Sequence, residues 1–201
     1  MRSFKVGFRG AVQPLALALA RAGVQANWLT YLGFVLNCVV AVLVAQGWLG
    51  IGGAMFLIVN ALDFLDGAVA RAAGTAGAFG AFLDSVLDRY SEAVVFVGLI
   101  AWYSRQDDLF ALVCAALALS GSFMVSYCRA RAEGLGMDCE VGLLQRPERI
   151  VVLGIGLMLA EYVHPMVLIA VLVALAVLTN FTAAQRMRHV ARLFAERSKT
   201  R

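Results

Sequence analysis

Four aspartates lie close together in an otherwise apolar part of the chain: Asp63, Asp66, Asp84 and Asp88. The first two are three residues apart and the last two are four apart, so each pair lies on one face of a helix. In an antiparallel hairpin that turns near Ala76, a rise of about 1.5 Å per residue places both pairs on the order of 10–15 Å from the turn. All four carboxylates are therefore expected at about the same depth.

Carboxylates at this spacing repel one another, and each charge in hydrocarbon costs at least about 2–3 kcal/mol. A cation must offset them, and Arg71 and Arg89 offset only part of the charge. Clustered hard oxygens suit Mg²⁺ or Mn²⁺, and Mg²⁺ usually binds substrate phosphates together with a few carboxylates. The residues alone thus predict a phosphate-handling metal site at the cytoplasmic surface of a membrane.

The composition of the whole chain indicates a membrane protein. Of its 201 residues, 62% are hydrophobic and 15% are charged, whereas soluble domains have about 45–50% apolar and about 25% charged residues. The formal net charge is +4. Basic residues that flank membrane helices explain this charge better than nucleic acid does, so no nucleic-acid partner is expected.

The expected fold class is an all-α integral membrane protein with six transmembrane helices. A span needs about 20 residues, and the apolar segments run over 28–45, 51–72, 80–103, 109–128, 147–162 and from Pro165 past Thr182. Residues 1–26 predict an amphipathic helix at the membrane interface. Residues 186–201 predict a basic cytoplasmic tail, and 1–201 is expected to form a single membrane domain.

The basic residues predict the orientation of this multi-pass cell-membrane protein. An even number of spans places both termini on one side. Nearly all basic residues fall in the N-terminal segment, in the loops after the second and fourth spans, and in the tail, whereas Arg105 lies on the other face. The positive-inside rule then places both termini and the aspartate site in the cytoplasm.

The aspartate segment resembles the signature of the CDP-alcohol phosphotransferase family. The matching positions, with no departure in spacing, are Asp63, Asp66, Gly67, Ala70, Arg71, Gly80, Asp84 and Asp88. The six-helix hydropathy also fits, so the resemblance spans most of the chain. It implies a six-helix membrane enzyme, usually a homodimer, that binds a CDP-linked lipid (CDP-diacylglycerol or CDP-archaeol) and two divalent ions, Mg²⁺ or Mn²⁺.

The same resemblance implies roles for individual residues. The metal ligands are Asp63, Asp66, Asp84 and Asp88, and Asp88 is also the catalytic base. The segment "NWLT" is similar to a short nucleotide-side motif of the family, although Ala26 stands where a proline commonly precedes it. The expected nucleotide-binding residues are Asn27, Thr30, Asp63, Gly67, Ala70, Arg71 and Thr75.

A polar segment after the fourth span carries the arginines Arg129, Arg131, Arg146 and Arg149. The fork of an arginine suits phosphate oxygens, and the neighbouring site needs a second, anionic substrate. For any single arginine, flanking of a membrane helix is an equally good explanation. Four arginines in one place favour binding of a phosphorylated acceptor.

Within the family, this region is similar to the bacterial phosphatidylinositol phosphate synthases, which carry S-Y-x-K-A-R-A-E and R-P-E-R segments. Arg129 stands where lysine is usual. The similarity implies transfer of a phosphatidyl or archaetidyl group to inositol-1-phosphate with release of CMP. The acceptor phosphate would be held by Ser126, Arg129, Arg131, Arg146, Arg149 and Arg186.

Three alternatives remain open from the sequence. A phosphatidylglycerophosphate synthase would take glycerol-3-phosphate as its acceptor. A cation transporter would need acidic residues along a path across the membrane, and only Glu92 lies deeper than the four aspartates. A non-catalytic membrane scaffold would have no turnover.

Overall fold

The computed structural model describes residues 13–199, apart from the side chains of Phe64 and Lys199. The predicted interfacial helix over 1–26 lies partly outside this range. Its described part is helical over residues 13–21, here called α1. The end of the predicted basic tail, residues 200–201, also lies outside the described residues.

Six long helices follow α1, and the described residues contain no strand. They are α2 (Ala26–Ala45), α3 (Leu49–Ala72), α4 (Ala78–Arg105), α5 (Leu109–Glu133), α6 (Arg146–Tyr162) and α7 (Met166–Lys199). The prediction of an all-α chain is therefore confirmed for the part that the structure describes.

Local signals explain several helix ends. The Asp108 carboxylate accepts a hydrogen bond of 2.9 Å from the backbone N–H of Ala111 and so caps the start of α5. Pro147 lies in the first turn of α6, where its missing N–H costs nothing. Gly47 and Gly74 follow α2 and α3 with φ of 87° and 68°, a conformation that glycine adopts without strain.

Four of the described helices are long and apolar enough to cross a membrane: α2, α3, α5 and α7. Helix α6 has only 17 residues. Helix α4 carries the charged residues Asp84, Asp88, Arg89 and Glu92 along its length. Length and composition thus support four spans, and the predicted number of six is not confirmed by them.

The six long helices close into a ring. Helix α2 packs against α3 and α4, α5 joins α4 to α7, and α6 joins α7 to α3. An apolar core fills the end of the ring away from the α3–α4 turn, where Val44, Phe56, Leu99, Leu157 and Leu172 are fully buried. The aspartates lie toward the other end.

Close approach of α3 and α6 depends on Gly53. A Cβ atom at this position would lie 2.6 Å from the carbonyl oxygen of Gly154 and 2.8 Å from the Cβ of Leu157. Small residues allow helix backbones to approach closely in membranes. This contact sets where α6 sits relative to the aspartates of α3.

We expect Gly53→Val to destabilise the protein by about 1–3 kcal/mol, because the new side chain must push α3 away from α6. The measurement is the thermal unfolding midpoint of the full chain in detergent. Gly77→Val is the matched control, since Gly77 has an extended backbone and a Cβ there meets only a carbonyl oxygen at 3.9 Å. Equal midpoints for the two variants would contradict the packing argument.

Candidate active site

A cavity of about 590 Å³ lies beside the turn that joins α3 to α4, with walls from α2, α3 and α4. This volume falls within the usual range of ligand sites, about 300–1,000 Å³. Six of the seven predicted nucleotide-binding residues line it: Asn27, Thr30, Gly67, Ala70, Arg71 and Thr75. The seventh, Asp63, faces α6 instead. The structure therefore brings most of the predicted nucleotide site together.

Small residues keep the cavity open. A Cβ atom at Gly67 would lie 3.3 Å from a guanidinium nitrogen of Arg71, and one at Gly80 would lie 3.5 Å from the side-chain oxygen of Asn27. Each glycine thus leaves space in front of a polar side chain. The contact at Gly67 is tight enough that a Cβ atom would shift the guanidinium of Arg71 slightly, whereas the contact at Gly80 is an ordinary van der Waals distance.

The four aspartates divide into two pairs at the cavity. Asp66 and Asp84 line the cavity itself, and the hydroxyl of Thr30 donates a hydrogen bond of 2.8 Å to Asp66. Asp63 and Asp88 both face Arg146 of α6. Asp84 remains within electrostatic reach of Asp63 and Asp66, so the carboxylates share one region as the hairpin spacing predicted.

One nitrogen of Arg146 joins the second pair. Its Nη2 atom lies 3.2 Å from Asp63 Oδ2 and 2.9 Å from Asp88 Oδ1, and it donates a 3.1 Å hydrogen bond to Asn60 Oδ1. The Nε atom of Arg146 is buried and has no hydrogen-bond partner among the described residues. The sequence assigned Arg146 to the acceptor phosphate, whereas the structure places it on two predicted metal ligands.

A divalent ion fits the chemistry of this donor set. The carboxylates of α3 and α4 already hold a cationic group, the Arg146 guanidinium, at the position between Asp63 and Asp88. Within residues 13–199, no three acidic, His or Cys side chains converge tightly enough to hold an ion in their present conformations. Ion binding would therefore require these side chains to rearrange around Arg146.

A second charged pair lies deeper in the ring. Arg149 donates two hydrogen bonds, of 2.7 and 2.8 Å, to the carboxylate of Glu92. Both side chains are buried, with residue exposures of 2% and 6%. The Nη1 atom of Arg149 has no hydrogen-bond partner in the described part of the chain. This pair links α4 to α6 across the interior of the ring.

Arg186 of α7 is also buried. It donates hydrogen bonds of 2.5 and 2.8 Å to the carbonyl oxygens of Val125 and Val141. The bond to Val125 links α7 to α5, and the bond to Val141 links α7 to the loop between α5 and α6. Arg186 remains within electrostatic reach of Arg129 and Arg149, so three of the predicted acceptor-binding residues lie in one neighbourhood.

Arg129, Arg131 and Ser126 are less buried than Arg149 and Arg186. Arg129 pairs at the surface with Glu133 and Glu140, at 2.7 and 3.1 Å. Arg131 is exposed, and Ser126 is partly buried. The structure therefore does not gather the six predicted acceptor residues around a single point.

Sequence reasoning missed three residues that support the aspartates. The amide of Asn60 donates to Asn37 and to the carbonyl of Phe56, at 3.3 and 2.8 Å, while its oxygen accepts from Arg146. A Cβ atom at Gly33 would lie 2.9 Å from Asp63 Oδ1. The available signal was the presence of asparagines inside apolar spans, since a polar group there needs a partner.

The profile of the CDP-alcohol phosphatidyltransferase family matches residues 24–194. The chain belongs to this family. It is 37% identical to the archaetidylinositol phosphate synthase of Methanothermobacter thermautotrophicus, over 94% of this chain and 93% of that protein.

Two solved structures of the phosphatidylinositol phosphate synthase of Mycobacterium tuberculosis have the same fold. The one with bound CDP-DAG superposes with a TM-score of 0.85 at 32% identity and covers 89% of this chain and 92% of that chain. The one with manganese and citrate superposes with a TM-score of 0.82 at 31% identity, over 89% and 88%.

These comparisons confirm the predicted family and make the chain a phosphotransferase. The transporter and scaffold alternatives are therefore wrong. The apolar helices and the family together identify a multi-pass membrane protein.

We expect Glu92→Met and Arg149→Met each to destabilise the protein by about 3–5 kcal/mol, because each leaves one uncompensated buried charge. The double substitution should cost far less than the sum, since no charge is left unpaired. Unfolding of all four proteins in detergent measures this coupling. Arg129→Met, which breaks a surface pair, should cost below about 1 kcal/mol. Additive effects of the two buried substitutions would contradict this prediction.

Proposed function

We propose that this chain transfers the phosphatidyl or archaetidyl group of a CDP-linked lipid to inositol-1-phosphate and releases CMP. The observation that carries the proposal is the cavity lined by Asn27, Thr30, Gly67 and Arg71, together with two arginines of α6, Arg146 and Arg149, that each have a buried nitrogen without a hydrogen-bond partner among the described residues. The printed names of its relatives, archaetidylinositol and phosphatidylinositol phosphate synthases, support this acceptor.

The cavity is the proposed site of the cytidine diphosphate. Gly67 and Ala70 leave the α3 backbone accessible, and Arg71 is exposed at the same surface, where its guanidinium would contact phosphate oxygens. Asn27 and Thr30 project from the first turns of α2. The bound CDP-DAG of the Mycobacterium tuberculosis enzyme supports a CDP-lipid as donor, either CDP-diacylglycerol or CDP-archaeol.

Asp63, Asp66, Asp84 and Asp88 would hold two divalent ions, Mg²⁺ or Mn²⁺. Ions bound there would neutralise charge on the pyrophosphate and on the departing CMP. The manganese in one structure of the Mycobacterium tuberculosis enzyme supports a divalent metal in this family. Thr30 would keep Asp66 oriented through its 2.8 Å hydrogen bond.

Asp88 is the proposed catalytic base. Its carboxylate would take the proton of the acceptor hydroxyl while the hydroxyl oxygen forms a bond to the phosphorus that bears the lipid. The bond from that phosphorus to the bridging oxygen breaks, and CMP leaves with the bond's electrons. Positioning and electrostatic stabilisation supply most of the rate enhancement in such transfers.

The acceptor phosphate is proposed to bind near Arg149. Its unpartnered Nη1 and the unpartnered Nε of Arg146 are buried donors, and buried donors are normally satisfied by a partner. A phosphate would satisfy both. Arg186 and Ser126 would lie beside it, with Arg129 and Arg131 attracting the anion from the surface.

The same proposal includes the arrangement in the membrane. Six spans, in which α4 and α6 also cross the membrane as members of the ring, would place both termini and the cavity in the cytoplasm, as the distribution of basic residues supports. Helix α1, which ends at residue 21 and not at the predicted residue 26, would be part of the interfacial helix, and 1–201 would form one domain that assembles as a homodimer in the cell membrane.

The direct test is release of CMP by the purified full chain with Mg²⁺. The panel pairs CDP-diacylglycerol or CDP-archaeol with inositol-1-phosphate, glycerol-3-phosphate or serine. We expect turnover with inositol-1-phosphate to exceed the others by at least about tenfold, about 1.4 kcal/mol of discrimination. Preference for glycerol-3-phosphate would instead identify a phosphatidylglycerophosphate synthase.

We expect Asp88→Asn to lower turnover by about 10²–10⁴-fold, because an amide cannot accept the hydroxyl proton. Asp138→Asn is the matched control, since Asp138 is exposed in the loop before α6, and it should retain full activity. CMP release with saturating substrates measures both. An Asp88→Asn protein with parent turnover would remove the base assignment.

A further inference from the structure

The guanidinium of Arg146 lies between two of the four proposed metal ligands. Its Nη2 atom is 3.2 Å from Asp63 and 2.9 Å from Asp88, and all three side chains are largely shielded from solvent, with exposures of 23%, 18% and 16%. It therefore holds the place where the chemistry of the donor set favours a divalent cation.

Arg146 cannot neutralise the cluster alone. One positive charge faces the carboxylates of Asp63 and Asp88 directly, with Asp66 and Asp84 close by. Arg149 is already paired with Glu92, and the more distant guanidinium groups of Arg71 and Arg89 raise the number of positive charges near the four carboxylates only to three. The cluster keeps a net negative charge and attracts a further cation.

A divalent ion and the guanidinium cannot share these two carboxylates without repulsion. An ion bound by carboxylate oxygens lies about 2.1 Å from each of them. Like charges at such separations repel strongly in a partly buried site. An ion that takes Asp63 and Asp88 as ligands must therefore displace the Nη2 atom.

The position of Arg146 permits such a displacement. It is the first residue of α6, and the described contacts of its guanidinium are to Asn60, Asp63 and Asp88, all through Nη2. Arg149, one turn further along α6, is fixed by two hydrogen bonds to Glu92. The helix can stay in place while the Arg146 side chain moves.

We infer that Arg146 and a divalent ion compete for Asp63 and Asp88, so that Arg146 is a positioning residue that holds both carboxylates in the ion-free protein and leaves them when the ion binds. The inference rests on the metal site of the proposed function. The released guanidinium would lie on the same helix face as the free Nη1 of Arg149. Ion binding would thereby supply a second arginine to the acceptor phosphate.

The test is the dissociation constant of Mn²⁺ for the full chain in lipid nanodiscs, without substrates. Arg146→Gln removes the competitor and should tighten binding at least about tenfold. Arg146→Lys keeps a charge at this position and should remain within about threefold of the parent. Arg89→Gln is the matched control, because it removes an equal nearby charge that is not bonded to an aspartate, and it should change affinity by less than about threefold.

Unchanged or weaker Mn²⁺ binding by Arg146→Gln would overturn the inference, as would equal tightening by Arg89→Gln. A parent protein that binds no Mn²⁺ would overturn the proposed metal site and the inference with it. Tight parent binding with no effect of Arg146→Gln would overturn only the inference.

A second measurement uses the unaltered chain, so that it tests the inference even where a variant misfolds. Phenylglyoxal modifies accessible guanidinium groups, and mass spectrometry of peptides locates the product. Saturating Mn²⁺ should raise the modification of Arg146 several-fold, because the ion releases its side chain, while the modification of Arg149, distinguished from Arg146 by fragment ions of the shared peptide, should not change. An equal rate of Arg146 modification with and without Mn²⁺ would contradict the competition.

Discussion

The balance of charge between the carboxylates of α3 and α4 and the arginines of α6 is the constraint on which this structure depends. A largely apolar chain of four or more membrane-spanning helices cannot hold unpaired acids at low cost. Two arginines three residues apart meet this demand in different ways. Arg149 is matched one to one with Glu92 in the buried interior, whereas Arg146 faces Asp63 and Asp88 together. The deep pair is neutral and closed, and the outer cluster remains negative and open to a further cation.

The ring of helices makes this division possible. At one end, apolar side chains such as Phe56, Leu99 and Leu157 fill the interior completely, and Gly53 lets α6 approach α3 to within backbone contact. That contact fixes the rotation of α6 and hence the directions of its two arginines. At the other end, small residues along α3 and the turn leave a cavity in place of a core. The packed end of the ring therefore positions the charged side chains, and the end with the cavity can accept a ligand.

Helical spacing alone predicted the acidic pairs, whereas most of the cavity wall was predicted from the resemblance to the family signature. Asp63 with Asp66, and Asp84 with Asp88, needed no tertiary information. The partners of the arginines could not be predicted without tertiary information. Arg146 and Arg149 are long side chains on one face, and a count of basic residues near a membrane cannot tell which of them reaches a carboxylate. The supporting residue Asn60 was missed for a related reason, since its side-chain partners Asn37 and Arg146 lie on two other helices and only the packed ring brings them together.

The two arginines also differ in how freely they can change partners. Breaking the pair of Arg149 and Glu92 would leave charges in a site with 2% and 6% exposure, so that pair acts as a fixed link between α4 and α6. Arg146 makes its described contacts through a single nitrogen and begins its helix, so it can leave without unwinding α6. The proposed site binds divalent ions and then an anionic acceptor. It therefore needs a positively charged side chain that neutralises the carboxylates before the ions bind and that can bind the acceptor phosphate afterwards. Arg146 lies beside the rigidly held Arg149, and within residues 13–199 its guanidinium is bonded only to Asn60 and the proposed metal ligands Asp63 and Asp88, so it meets both requirements.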